Sequence, residues 1–500
     1  MFDVAIIGCG PVGAFAANLL GKSGLSVLVI EKEANPYPLP RAVHLDHEMM
    51  RLFQTAGVID RVAGDMRDTE GHLHVGADHG VIKYMGTVGR ARPFSWSNDY
   101  FFYQPELEQH LRDALAAHDN VTVQLGVGFE GLTQDTDGVT LHLSGGDSAL
   151  ARYVIACDGS RSAVRKALGI ALDDLDFEEP WLVVDAEVDG SVRFPDLWGV
   201  PEAADLQKLS VMICDPKRPA TIVPGRGNHR RWEFMLLPGE EDQAMMEPHN
   251  VAALVAPYLS GVPHKVVRAA TYRFHGLVAK QWRQGGVFLA GDAAHQTPPF
   301  FGQGMCHGLR DVANLAWKLA AVVKGDVPDV LLDTYQPERD PHVRAVISAA
   351  VGAGRYICVL DPQAAAARDA EMREAAKVTQ QGTAADLIPA ISTGIVALGT
   401  PGAGERFIQP RVGDQLLDDV TGHGWRLFAR HAVPAPNDVT VVALDTLDDG
   451  GAIAAWLDAR GANALLLRPD HYVFGTGEPA DLIALRDALI AGTIAQEIAA

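Results

Sequence analysis

A chain of 500 residues is too long for one ordinary hydrophobic core and suggests about three domains. Its 63 acidic residues against 42 basic ones leave a formal charge of −21, which argues against non-specific binding to nucleic acid or anionic membranes while allowing a local basic pocket. The five cysteines lack CxxC spacing, so neither a disulfide framework nor a sulfur-rich metal site is expected, and a reduced, cytoplasmic setting fits.

The first strand is expected at once, in Phe2 to Ile7, which leaves no room for a cleavable presequence. It runs into Gly8-Cys9-Gly10-Pro11-Val12-Gly13, and a second apolar run from Leu25 to Ile30 ends at Glu31. This reads as strand, glycine turn, helix, strand. Gly8 permits the turn, Gly10 allows close approach of a phosphate, and Gly13 lets the helix sit against the strand, so a dinucleotide pyrophosphate can lie on the helix N-terminus. Pro11 is tolerated there because first-turn amides have no helical partner. Glu31 is placed to accept from a ribose hydroxyl. A GxGxxG alone is weak evidence; set between two strands and closed by an acid it is strong.

Beyond the proline-rich stretch 35–40, a helix carries Met49, Met50 and Phe53 and ends near Gly57, and another opens around Gln104. An apolar strand then runs from Ala151 into Asp158-Gly159-Ser160. From about Pro180 the texture changes to strand-like runs at Trp181–Glu187, Leu209–Ile213, Ala220–Val223, Arg231–Leu236 and Val266–Phe274, a largely antiparallel sheet that could roof a pocket. The chain returns to the nucleotide domain at Gly286 to His295, and Pro298 to Met305 leads into a helix over about 306–323. Residues 329–372 read as helix broken near Pro337 and Pro341, 379–402 as a connection, and the final hundred residues as a small α/β unit without cysteine. No uninterrupted apolar run reaches 18 residues, so membrane insertion is not expected.

The glycine fingerprint, the strand into Asp158 and the segment Gly291-Asp292-Ala293-Ala294-His295 through Met305 together resemble the FAD-dependent aromatic hydroxylases, and most of all their 3-(3-hydroxyphenyl)propionate hydroxylase branch. The resemblance covers about the first 350 residues, with a C-terminal extension similar to the thioredoxin-like domain of phenol-hydroxylase relatives. It implies an α/β fold: a Rossmann-type FAD-binding domain in two parts, 1–179 and 281–378, an inserted substrate sheet at 180–280, and a thioredoxin-like domain without redox cysteines at 397–500. It also implies that Gly8, Gly10, Pro11 and Gly13 receive the FAD pyrophosphate and that Glu31 and Lys32 lie by the adenosine ribose. Arg41 would approach the pyrophosphate or ribose, Gln104 the ribityl chain, and Asp158 the FAD and nicotinamide region. Asp292 would bind ribityl or pyrophosphate, while Pro299, Gly302, Gly304 and Met305 border the flavin ring. The implied reaction reduces FAD with NAD(P)H and hydroxylates a phenol with O2 through a flavin C4a-hydroperoxide. A phenol with an acidic side chain is the first expectation; an FAD oxidase or dehydrogenase, or a redox-silent FAD-binding protein, is the alternative.

Catalytic candidates are His295, Pro299 and Arg273, with no metal. His295 follows a buried strand, so packing near the cofactor competes with a role as base. Alternation puts Arg273 and His275 on one strand face and Tyr272 and Phe274 on the other, without saying which faces the ligand. Arg230 and Arg231 could attract a carboxylate but, as neighbours near a loop, are expected to be solvated. His44 and His47 share a face only if a helix has begun before them. Cys306 and His307 lack further ligands at useful spacing. Partners are expected to be small molecules, with a homo-oligomer left open.

Overall fold

The computed structural model describes residues 1–378, 382 and 384–493. The chain opens with β1 (Phe2–Ile7), α1 (Pro11–Lys22) and β2 (Val27–Glu31). It then contributes β3 (Gly71–Val75), β4 (Val81–Gly86), β5 (Val121–Leu125), β6 (Ser148–Ala156), β7 (Leu172–Val188) and β8 (Ser210–Ile213). After these come β9 (Ala220–Pro224), β10 (His229–Met235), β11 (His264–Ala279) and β12 (Val287–Leu289).

The first sheet has the order Arg283–Gln284, β12, β6, β1, β2, β5, and the hairpin Phe129–Asp135 and Gly138–Leu143 hangs from β6. Its central pairs are parallel. Val4 to Ile7 and Val27 to Ile30 are buried, which is why both strands read as unbroken apolar runs.

The second sheet has the order His295–Gln296, β11, β7, β10, β9, β8, β3, β4 and is antiparallel except where β8 meets β3. It is wider than the expected 180–280 segment, since β7 starts at Leu172 and β3 and β4 arrive from far upstream. Period-two alternation gives this sheet two different faces. Leu73, Val75, Leu182, Val184, Val211, Ile222, Trp232 and Phe234 form one apolar core, closed from behind by Val251, Val255 and Leu259 of the helix Pro248–Leu259. The other face points at the nucleotide domain.

Three helices follow: α2 (Gly304–Lys324), α3 (Tyr335–Ile357) and α4 (Pro362–Val378). The break expected near Pro337 and Pro341 falls instead after Ile357. Pro337 sits in the first turn of α3, where an amide has no partner, and Pro341 forfeits one bond in a helix held by buried Tyr335, Val343, Ile347 and Ala350.

The C-terminal unit comprises β13 (Trp425–Ala429), β14 (Val439–Ala443), α5 (Ala452–Asp458), β15 (Ala464–Leu467), β16 (Val473–Thr476) and α6 (Pro479–Ile490). Its order β14-β13-β15-β16, parallel only between β13 and β14, is consistent with the thioredoxin-like unit expected there. Buried polar bonds fasten it to the rest: Arg51 to Asp418 at 2.6 Å, Arg468 to Glu338 at 2.7 Å, and the Tyr472 hydroxyl donating to Glu48 at 3.0 Å. Of the expected 379–402 connection and the 397–500 domain, residues 379–381, 383 and 494–500 lie outside the described residues. Among the described residues, no helix is long and apolar enough to cross a membrane.

Candidate functional site

The glycine turn after β1 is shaped by two close approaches. Gly8 has φ +99°, and a β-carbon there would stand 2.4 Å from the Cys157 carbonyl oxygen; one on Gly13 would stand 1.9 Å from the Gly8 carbonyl oxygen. Gly10 differs from both: its β-carbon would meet nothing within 4 Å, and no side chain caps the helix that starts behind it. The open positive end of α1 therefore faces free space.

That space is a cavity of about 350 Å³ between the first sheet and the second. On the nucleotide side Gly10, Pro11, Arg41, Gln104, Gly159 and Asp292 line it. Gln104 pins the 41–42 segment there, its Oε1 accepting from the amides of Arg41 at 3.1 Å and Ala42 at 2.7 Å. Asp292 opens onto the cavity, and the surrounding protein still raises its carboxyl pKa, with His295 and Arg41 opposing.

A second helix start borders the same space. Pro299, Phe300, Gly302, Gly304 and Met305 line the cavity just where α2 begins without a side-chain cap. Gly302 has φ +63°, and a β-carbon on it would lie 2.6 Å from His44 Nδ1. His44 belongs to the strand His44–Asp46, and its Nε2 is 3.0 Å from Asp99. Burial lowers the His44 pKa, but the hydrogen bond and charge of Asp99 outweigh that and raise it overall.

The polar face of the second sheet forms the floor. His72, Ser210, Met212, Thr221, Val223, Arg231 and Glu233 line it. Burial pushes the Glu233 carboxyl up to about 7, with the Arg231 charge opposing, and lowers His72 to about 4. The sequence indicated that this sheet could cover a pocket but not that His72, Ser210, Thr221 and Glu233 line it; the only signal for them was polar residues alternating with large apolar ones inside strands such as His229–Met235.

Several expected site residues lie elsewhere. His295 is fully enclosed: its Nε2 bonds Asp311 at 2.6 Å, and the same carboxylate accepts from the Gly291 amide and from Arg339, so the histidine braces the loop behind the cavity. Arg273 is half-exposed and paired with Asp242 at 3.1 Å, because it is the Phe274 face that turns inward, onto Trp181 and Phe300. Arg231 is buried, contrary to expectation, with Nε donating to Asp185 at 2.8 Å. Lys32 is exposed and outside the cavity. Glu31 accepts from the Cys9 amide at 2.7 Å, and Asp158 accepts from the Val164 amide at 3.1 Å while its Oδ1 is buried without a partner among the described residues. His44 and His47 do not share a helix face, since the helix starts only at His47.

Residues 1–350 match the FAD binding domain family, and residues 431–492 match the HcaD C-terminal domain family. Across nearly the whole chain, a probable NADH-specific resorcinol 4-hydroxylase of Rhodococcus jostii (strain RHA1) is 36% identical, over 98% of this chain and 94% of that one. The chain belongs to the FAD-dependent aromatic hydroxylases. A 3-(3-hydroxy-phenyl)propionate/3-hydroxycinnamic acid hydroxylase of Burkholderia cenocepacia (strain HI2424) is 34% identical to this hydroxylase, over 97% and 96% of the two chains. In fold it is similar to the flavin-dependent monooxygenase PieE, solved with FAD and substrate, at a TM-score of 0.82 with 23% identity and 99% of each chain covered. Aklavinone-11 hydroxylase, solved with FAD and aklavinone, gives 0.77 with 23% identity over 98% and 99% of the two chains. The residues of this hydroxylase fit FAD: the clearance at Gly10, the uncapped start of α1 and the glycine-flanked start of α2 are what a pyrophosphate and a flavin ring require.

Proposed function

We propose that this hydroxylase inserts one atom of dioxygen into a phenolic ring, with NAD(P)H as reductant and the ring held between the Pro299–Met305 segment and the floor of the second sheet. The observation that carries this reading is that one cavity is walled by the glycine turn, the start of α2 and a polar sheet face. The two relatives above, named for resorcinol and for 3-(3-hydroxyphenyl)propionate, support a phenol as substrate, and the first of them supports NADH.

Bound FAD supplies the electron and oxygen transfer. The chain supplies position and environment. Gly10 and the start of α1 would hold the pyrophosphate, with Arg41 beside it; Glu31 would take the ribose, and Asp292 and Gln104 the linking chain. Gly302, Gly304 and Met305 would border the ring, where the amide dipoles of α2 favour negative charge on reduced flavin. Phe300, which packs on Trp181 and Phe274, closes the far wall against water. Five free cysteines, with burial raising the thiol pKa of each, support a cytoplasmic location.

The test is NADH oxidation by the FAD-loaded enzyme with a panel of phenols, with product followed by mass spectrometry. Phenol-stimulated oxidation and one hydroxylated product are expected; stoichiometric peroxide with no hydroxylated product would replace the reading with an oxidase.

A further inference from the structure

Two rows of ladder partners cross the cavity floor. In one, Val183, Glu233, Thr221 and Met212 stand opposite one another on β7, β10, β9 and β8. In the next, Asp185, Arg231 and Val223 do so on β7, β10 and β9, and Ser210 and His72 are paired on β8 and β3. Directly opposed residues hold their β-carbons about 5 Å apart, so Glu233 and Thr221 are side-by-side neighbours.

These polar groups are buried and open. Glu233, Thr221 and His72 are 7%, 3% and 4% exposed. Thr221 Oγ1 and both ring nitrogens of His72 have no hydrogen-bond partner among the described residues, and burial and the charges of Arg231, Asp185 and Arg268, not hydrogen bonds, act on the Glu233 carboxylate. Buried polar atoms are nearly always paired, so three open ones on one cavity wall mark where the polar groups of a ligand belong. His72 stays neutral at pH 7 and offers both a donor and an acceptor.

The charge balance narrows the ligand. The arginines and lysines lining the cavity are Arg41 and Arg231 alone among the described residues. Arg231 is committed to Asp185 and to the carbonyls of Arg41 and Pro40, each at 2.6 Å, and Arg41 lies over the Tyr37 ring at 4.4 Å. A substrate carboxylate on this floor would meet Glu233, while Arg231 is already paired with Asp185 and Arg41 is assigned to the pyrophosphate.

We propose that Glu233, Thr221 and His72 form the seat of the substrate's ring hydroxyls, that Glu233 accepts the proton of one of them, and that the seat selects uncharged dihydroxylated benzenes over phenols bearing a carboxylate chain. The proposal rests on the hydroxylase reading above. In the proton step the phenolic O–H bond breaks, the proton passes to a Glu233 carboxylate oxygen, and the electron pair left on oxygen enriches the ring carbon that is to be oxygenated. The charged and titratable groups around Glu233 are Arg231 on its own strand, Asp185 on β7, Arg268 on β11, and His44, His72, Arg41 and Asp292 around the cavity. Turnover then rises with pH through about 7 as Glu233 ionises.

The experiment uses FAD-loaded wild type, Glu233→Gln and Thr221→Val with resorcinol and 3-(3-hydroxyphenyl)propionate as probes. Binding is read from the flavin absorbance change, and kcat from hydroxylated product across neutral pH. Resorcinol is expected to bind at least about tenfold more tightly than the propionate, which meets like charge. Glu233→Gln should retain FAD and bind resorcinol within a few-fold, while kcat falls on the order of a hundredfold and loses its acidic limb. Thr221→Val should weaken resorcinol binding about fivefold, the scale of one hydrogen bond. Unchanged turnover and pH limb in Glu233→Gln, or preferred hydroxylation of the propionate, would overturn the seat while leaving the hydroxylase reading intact. Absence of hydroxylated product from either phenol and from the wider panel would overturn both.

Discussion

Gly10 and Gly302 on the cavity wall and Gly13 behind it do different work, and single methyl groups separate their roles. On Gly13 a methyl would stand 1.9 Å from the Gly8 carbonyl oxygen, so Gly13→Ala is expected to distort the turn and lower both thermal midpoint and FAD content. On Gly10 it meets no protein atom within 4 Å, so Gly10→Ala should fold like the wild type yet bind FAD more weakly, as flavin-to-protein absorbance ratios would show. Gly302→Ala adds backbone strain at φ +63° to a collision with His44, and should lose flavin and stability together. Glu233 makes a separate prediction. Its folded carboxyl sits at about 7, above the ordinary unfolded value of about 4.3, so its contribution to stability is fully present below the unfolded value and is lost as pH rises through the folded one. Glu233→Gln should therefore match the wild type at low pH and exceed it at alkaline pH, by at most about 4 kcal/mol in urea unfolding of the apoprotein.

At the scale of elements, the opening unit was readable because its constraints are local: a glycine turn of this kind works only between a buried strand and a helix start. The second sheet was readable as strands and not as a surface. Alternation divides Arg273 from Phe274 whichever face is inward, and the choice is made by Trp181 on β7, which stacks on Phe274 at 5.7 Å. Long-range pairing also brings β3 beside β8, and with it His72 into the floor, which no local pattern around His72 indicates. Which of the two roles open to His295 is taken depends on a partner out of local reach, since Asp311 lies a helical segment away on α2. The C-terminal unit was readable as α/β, whereas its dependence on the rest lies in buried charge. Lys318, Glu338, Arg468 and Asp470 form one fully enclosed cluster between α2, α3 and the C-terminal unit. Arg468→Met removes the cation nearest Glu338 and Asp470 and should destabilise the protein by about 3 kcal/mol, as thermal or denaturant unfolding would measure.

For the molecule as a whole, two parallel-sheet returns, at β6 and at β12, bring the ends of distant segments to the single α1 turn, while the second sheet is laid over them with its polar face inward. On the proposed reading the flavin and the ring to be hydroxylated share one cavity, and the C-terminal unit is fastened to the rest through Arg51 and Asp418. The decisive step is the entry of oxygen from O2 into a phenol held there. The most direct measurement is turnover of the FAD-loaded enzyme with NADH, resorcinol and isotopically labelled dioxygen, analysed by mass spectrometry. One labelled oxygen atom in a hydroxylated product is the predicted result; NADH consumed with all the label in peroxide or water, and the phenol recovered unchanged across the panel, would contradict it.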